Sequence, residues 1–403
     1  MASILIVTPT IPFPVRANGL TVRANPLVVH LAQRHDVHLL TIDDGRKAAS
    51  ELLADARTVC ASATMLPPVT GRLAIRAKLL RALTIRPAPP HRWLHAITPA
   101  TLREVGALVS RHACTSILAF GGISSQCIVA LERRLPDVRR VIDWVDSPSL
   151  HVQRDAEHAG LHAAALVEET AIWERRVNAS ASHAIYISAK DAAYGNTELG
   201  DRISVIPNGL IDDFPVDDAS YRPVPFAHLP RLTLGFLGNM GYAPNHLAAM
   251  HLVQDLLPAL QSALPQVELR LKVIGRAPHP DLAALAGPSL EVTGAVDSIW
   301  PHMNDVDVFV FPMRIGAGMQ NKVIEALRAS RPAVVSSVCA GGLPADEDSG
   351  VIVADDAHEI ASVLHALLTD SARVAAHTAR GLAYARARTW GPLLDEYEAL
   401  LVG

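Results

Sequence analysis

The chain has 403 residues, a net charge of −4 and a pI near 6.5, so no global positive field marks it for nucleic acid and any basic patch must be local. Half of its residues are hydrophobic but only 4% are aromatic, so the core must be built from Ala, Val, Leu and Ile, which favours helices packed on buried parallel strands. At roughly 150 residues per domain, this length implies two or three domains.

The four cysteines, Cys60, Cys114, Cys127 and Cys339, are widely spaced, with no CxxC pair and no Cys/His cluster at zinc spacing. They read as small buried residues in a reducing compartment. Residues 1–7 lack a basic leader and read as a first strand, not a signal peptide. No apolar run approaches the ~18 residues of a membrane span, and the expected location is the cytoplasm.

Short apolar, β-branched runs alternate with longer helical patterns, as in a doubly wound α/β sheet. Strands are predicted at 3–8, 37–42, 116–120, 141–145, 184–187 and 203–206, and again at 232–237, 269–274, 290–296, 306–311, 333–336 and 351–353. Residues 212–230 hold four prolines and little periodicity, which reads as a linker. The expected organisation is therefore a first domain over 1–211, a linker over 212–230, a second domain over 231–385, and a helix over 386–403 that packs back on the first domain. Two sheets joined by one linker suggest a ligand cleft at the carboxyl ends of the strands.

The loop after the first strand, Thr8 to Gly19, is rich in proline and has no GxGxxG, which argues against a nicotinamide or flavin enzyme. Gly19 and Arg23 open the next helix; they read either as a phosphate approach or as a turn glycine and a surface arginine. Residues 72–92 carry Arg72, Arg76, Lys78, Arg81, Arg86 and Arg92 among apolar positions, which fits a helix on an anionic membrane or a solvated helix face over a core stripe. Asp143 interrupts an apolar strand where an unpaired carboxylate would be costly, so Asp143 or Asp146 is a candidate to face the cleft and touch a sugar hydroxyl; capping the next helix is the alternative. The pattern through Glu168, Glu169, Trp173, Glu174, Arg175 and Arg176 reads as a structural helix with an exposed charged face.

Ile206-Pro207-Asn208-Gly209 marks the hand-over to the linker. In the second domain, Gly238 and Gly241 let the backbone come close to a ligand, and Asn239 and Asn245 flank Pro244 at the start of a helix. The most informative stretch runs from Phe311 to Leu327: strand end, the loop Gly316-Ala317-Gly318-Met319, then a helix holding Lys322 and Glu325. Such a loop gathers backbone N–H groups and a helix N-terminus at one point, as a phosphate needs, with Arg314 and Lys322 beside it. Glu325, on the same helical face as Lys322, is placed to accept hydrogen bonds from a ribose.

Together, Ile206 to Gly209, Phe236-Leu237-Gly238 with Pro244-Asn245, and Pro312 to Leu327 followed by Arg331-Pro332-Ala333-Val334-Val335 resemble the GT-B glycosyltransferases of the retaining family 4. Within them the chain is similar to bacterial sugar transferases with a PxRxGxGxxNKxxEA signature, often found with exopolysaccharide genes. The resemblance implies two Rossmann-like domains, a nucleotide-diphosphate sugar donor held mostly by the second, no required metal, and an acceptor held mostly by the first. That acceptor would be a saccharide, a lipid-linked saccharide or a small-molecule aglycone. It also implies that Glu325 is the second glutamate of the family's E-x7-E motif. The first position is Ala317, so the backbone of Gly316 to Met319 is left to address the donor sugar. Where many relatives place an Arg and a Lys after the first strand of the second domain, this chain has Asn239 and Asn245, which shifts the diphosphate onto Arg314 and Lys322. Where many relatives carry a histidine, it has Asp143 and Asp146. The rival readings are a nucleotide-sugar epimerase or hydrolase of the same fold, and a non-catalytic nucleotide-sugar-binding protein.

Overall fold

The structure is a computed structural model, and it describes residues 1–15, 18–42, 49–67, 90, 97–158, 160–195, 200–211, 230–315, 320–341, 343 and 349–403. Nearly all of the basic segment 72–92, the linker 212–229 and the loop residues Gly316, Ala317, Gly318 and Met319 lie outside these. The chain forms two compact units, Met1–Gly209 with Trp390–Gly403, and Leu210–Thr389.

The first unit is a seven-stranded parallel sheet in the order β3-β2-β1-β4-β5-β6-β7. Its strands are β1 (Ser3–Thr8), β2 (Asp36–Ile42), β3 (Ser62–Leu66), β4 (Ser116–Phe120), β5 (Arg139–Val145), β6 (His183–Tyr186) and β7 (Ile203–Val205). β1 and β4 are buried along nearly their whole length, so these strands read as continuous apolar runs and not as alternation. The sequence reading misses β3: Ser-Ala-Thr-Met-Leu is short and mixed, and only its pairing with β2 makes it a strand.

The helix Trp390–Val402 contributes Trp390, Leu394, Tyr397 and Leu401 to the core formed with Ile4, Ile6, Leu27 and Leu118. Polar contacts hold it as well: Glu398 accepts hydrogen bonds from Arg34 Nη1 at 2.7 Å and lies 3.0 Å from a ring nitrogen of both His30 and His35.

The second unit is a six-stranded parallel sheet in the order β10-β9-β8-β11-β12-β13. Its strands are β8 (Arg231–Leu237), β9 (Glu268–Ile274), β10 (Leu290–Val292), β11 (Val308–Phe311), β12 (Ala333–Val335) and β13 (Val351–Val353). One apolar cluster runs from Leu232 to Ala385 and serves both faces. The strand order reverses between β8 and β11, and in open α/β sheets ligands bind outside the carboxyl ends of the strands at such a point. Among the described residues no helix is long and apolar enough to cross a membrane, and all four cysteines are buried thiols outside any disulfide.

Two expectations about side chains are corrected. Arg23 is neither a phosphate approach nor a surface arginine: it is fully buried in the first unit. Glu174 is not on an exposed face either; it is fully buried, and accepts hydrogen bonds from Ser149 Oγ at 2.6 Å, Tyr186 Oη at 2.8 Å and Ser147 Oγ at 3.1 Å. Burial still pushes its carboxyl upward despite these donors.

Candidate functional site

In the second unit, the turn that follows β8 is built from glycine and asparagine. A Cβ on Gly238 would sit 2.9 Å from Asn245 Nδ2, and one on Gly275, whose φ is +141°, would sit 1.8 Å from Gly238 O. Only glycine lets the ends of β8 and β9 approach this closely. Asn239 Oδ1 accepts from Gly241 N at 3.1 Å, and Asn245 Nδ2 donates to Asn239 O at 3.0 Å. The two asparagines thus knit the turn together before the helix Ala243–His251 begins.

Asn245 has a second task. Its Oδ1 accepts from Lys322 Nζ at 2.6 Å, and the same ammonium lies 3.1 Å from Met313 Sδ and 5.4 and 5.9 Å from the ring centroids of Phe236 and Phe311. Lys322 is 8% exposed, in the first turn of the helix Asn321–Arg328. Burial pushes its ammonium down to about 8, while burial raises the neighbouring Cys339 thiol to about 12. No carboxylate among the described residues pairs with Lys322. Met313 is fixed in turn by Ser336, whose hydroxyl donates to its carbonyl at 2.6 Å.

Arg314 is exposed, and its Nη2 lies 3.2 Å from His251 Nε2; His251 Nδ1 lies 2.6 Å from Asp255 Oδ2. Glu325 is half-buried on the helix that carries Lys322. The carboxyl ends of β8 and β11 therefore bring together Gly238, Asn239, Gly241, Asn245 and Lys322, with Arg314 leaving β11 beside them. Met313, Ser336 and His251 escape the sequence reading because their contacts here are with residues brought in by the fold, and Asp255 escapes it because it matters only through His251.

In the first unit, Asp143 is fully buried. Its Oδ2 accepts from Arg23 Nε at 2.7 Å and from the Tyr397 hydroxyl, and its Oδ1 accepts from Val145 N at 2.9 Å. Arg23 also donates to Asn208 Oδ1 at 3.1 Å. Burial is the largest influence and works against the Arg23 charge, but Asp143, Tyr397 and Asp146 together outweigh it and the guanidinium is held above its usual range. Asp143 is thus committed to the interior of this unit. Asp146, three residues on, is half-buried; burial raises its carboxyl, and Asp191 adds to the rise. Between them Val145 has φ +66°, a costly conformation for a β-branched residue, and the pairing with β6 shifts register there. Gly19 is exposed at the start of the helix Gly19–Ala32, in open space, with the helix capped by the reciprocal bonds of Asn18 and Thr21.

His246, His279 and Asp281 bring three potential metal-ligand atoms within 4.8 Å of one another. His246 Nδ1 is buried with no hydrogen-bond partner, so the tautomer that frees Nε2 for a metal would strand an N–H. The cluster reads instead as a polar group gathered on Asp281, whose carboxylate oxygens lie 3.4 Å from His246 Nε2 and 2.7 Å from His279 Nδ1. A second such group, His30, Asp395 and Glu398, already has the Arg34 guanidinium between its carboxylates.

Residues 231–370 match the family model described as Glycosyl transferases group 1. Comparison with curated proteins gives no match. Among solved structures, sucrose-phosphate synthase from Thermosynechococcus elongatus superposes with a TM-score of 0.67 at 16% identity, covering 99% of this chain and 98% of that one. Anabaena HepE in complex with UDP superposes with a TM-score of 0.65 at 15% identity over all of both chains. A UDP-forming trehalose-phosphate synthase from Burkholderia xenovorans gives 0.60 at 12% identity, covering 100% of this chain and 99% of the other. With two parallel α/β units of this topology, the chain has the GT-B fold, and its second unit carries a segment of the glycosyl transferases group 1 type.

Proposed function

We propose that this protein is a retaining, hexosyl-type glycosyltransferase that moves a sugar from a nucleotide-diphosphate sugar to the hydroxyl of a saccharide, lipid-linked saccharide or small-molecule acceptor. The observation that carries the reading is Lys322, a buried ammonium without a carboxylate partner among the described residues, at the point where the strand order reverses. A buried charge is costly unless paired, and a diphosphate supplies the missing partner. Arg314 adds a second cation, and the N-terminus of the helix Asn321–Arg328 adds its amide ends. HepE is solved with UDP and with UDP-glucose, which makes uridine diphosphates the first donors to try.

In this reading the bond between the sugar C1 and the diphosphate oxygen breaks while Lys322 and Arg314 stabilise the charge gathering on that oxygen. The acceptor hydroxyl attacks C1 from the same face, and its proton passes to the leaving phosphate. Glu325 accepts from the ribose, and Asp146 is the acceptor-side carboxylate of the first unit; Asp143 supports it from the interior. A thermal-shift screen against nucleoside diphosphates and nucleotide sugars identifies the donor, since a ligand that binds only the folded chain raises its melting temperature. With that donor, Lys322→Ala and Arg314→Ala should each lower turnover by about two to three powers of ten. Unchanged turnover in both variants would remove them from the site.

A further inference from the structure

We infer that His251 and Asp255 are positioning residues for Arg314, and that the helix Ala243–His251 braces both cations of the site. The inference rests on the reading of Arg314 as a diphosphate contact. Asn245, in the first turn of that helix, holds Lys322, and His251, its last residue, meets Arg314. An exposed arginine otherwise has many rotamers to lose when it binds a phosphate, and a donor held in place beforehand binds at lower entropic cost.

The chemistry of the contact allows one arrangement of protons. A guanidinium has donors only, so His251 Nε2 must accept from Arg314 Nη2 across the 3.2 Å between them. That leaves the imidazole proton on Nδ1, where Asp255 Oδ2 accepts it at 2.6 Å. Asp255 therefore fixes the tautomer that Arg314 requires. The His251 side chain is 12% exposed and Asp255 64%, so the relay runs from the surface inward to the ring and out to the arginine.

The backbone is irregular at the same place. Between Ala243–His251 and Leu257–Ala263 lies one π turn, Leu252–Leu256, in which the amide of Leu257 donates to Leu252 O, five residues back. Such turns give up regular helical bonding and recur at functional positions. Asp255 sits within this turn, one helical turn beyond His251.

The experiment is calorimetric titration of the full chain with UDP, GDP and ADP, with a melting temperature for every variant. Wild type should bind at least one diphosphate, and Arg314→Ala should weaken it by about tenfold or more. His251→Phe, which keeps the ring shape and removes both nitrogens, should weaken binding by about tenfold in the wild-type background and have no further effect on Arg314→Ala, since residues acting as a unit are non-additive. His251→Gln should stay within about twofold of wild type, because its amide can accept from Arg314 and donate to Asp255. Asp255→Ala, a surface change, should follow His251→Phe in direction even if that variant folds poorly. If Arg314→Ala weakens binding but His251→Phe and Asp255→Ala do not, or their effects add to that of Arg314→Ala, the positioning role is overturned while the diphosphate site stands. If no diphosphate binds, or Arg314→Ala binds as wild type does, the site reading fails and the positioning role fails with it.

Discussion

Lys322 shows what one buried charge costs a fold. Its ammonium is lowered by burial from the ordinary lysine range to about 8, so the folded chain holds this proton less tightly than the unfolded chain does. Between pH 8 and 10.5 the unfolded state therefore binds more protons, and this group's contribution makes stability rise with pH across that window. Below pH 8 the full cost of the buried charge is present, on the order of 3 kcal/mol for a shift of this size. Lys322→Met should stabilise the ligand-free protein by up to about that amount at pH 7 in denaturant titrations, lose the alkaline rise, and lose diphosphate binding. In wild type, diphosphate affinity should fall as pH passes upward through about 8, because the free protein has then given up the proton that pairs with the ligand. A Lys322→Met protein that is no more stable than wild type, with the alkaline rise intact, would show that the charge is not buried in solution.

At the scale of elements, the C-terminal helix and the glycine turn each depend on contacts that cannot be moved. Tyr397 and Arg23 both converge on Asp143, tying the helices Trp390–Val402 and Gly19–Ala32 to β5. Asp143→Asn leaves the Arg23 guanidinium buried without its counter-charge and should destabilise the first unit by about 3–5 kcal/mol. Tyr397→Phe, which removes a single hydroxyl, should cost about 1–2 kcal/mol. Chemical denaturation of both variants orders them, and equal effects would mean that the charge pair contributes little. Gly275→Ala places a methyl 1.8 Å from Gly238 O at a φ of +141°, so the turn beneath Asn245 must move. Diphosphate binding should weaken in this variant even where the second unit stays folded. Retained affinity would show that the turn has freedom not visible in the structure.

For the whole molecule, the division into Met1–Gly209 with Trp390–Gly403 and Leu210–Thr389 gives each unit its own sheet and its own apolar clusters. Hydrogen–deuterium exchange with bound diphosphate should show its largest protection in peptides spanning 238–251 and 311–328; largest protection in the first unit would move the donor site. Much of this architecture is legible in the sequence. Strands covered on both faces have to be continuous apolar runs, and tight strand-to-helix junctions need glycine or proline wherever the chain turns, so the twelve runs and the helix Asn321–Arg328 can be read without coordinates. β3 is not legible, because a mixed five-residue edge strand has no pattern of its own. The roles of particular polar side chains are decided only by tertiary structure. Arg23 meets Asp143 across 120 residues, Lys322 meets Asn245 across 77, and Arg314 meets His251 across 63. Local sequence sets which backbone segments are helix, strand or turn, but a buried charge is settled by whatever partner the fold brings within about 3 Å. The sequence by itself therefore determined twelve of the thirteen strands and the junctions at which they turn into helices; the tertiary structure decided that Asp143 belongs to the interior, that Asn245 holds Lys322, and that His251 stands behind Arg314.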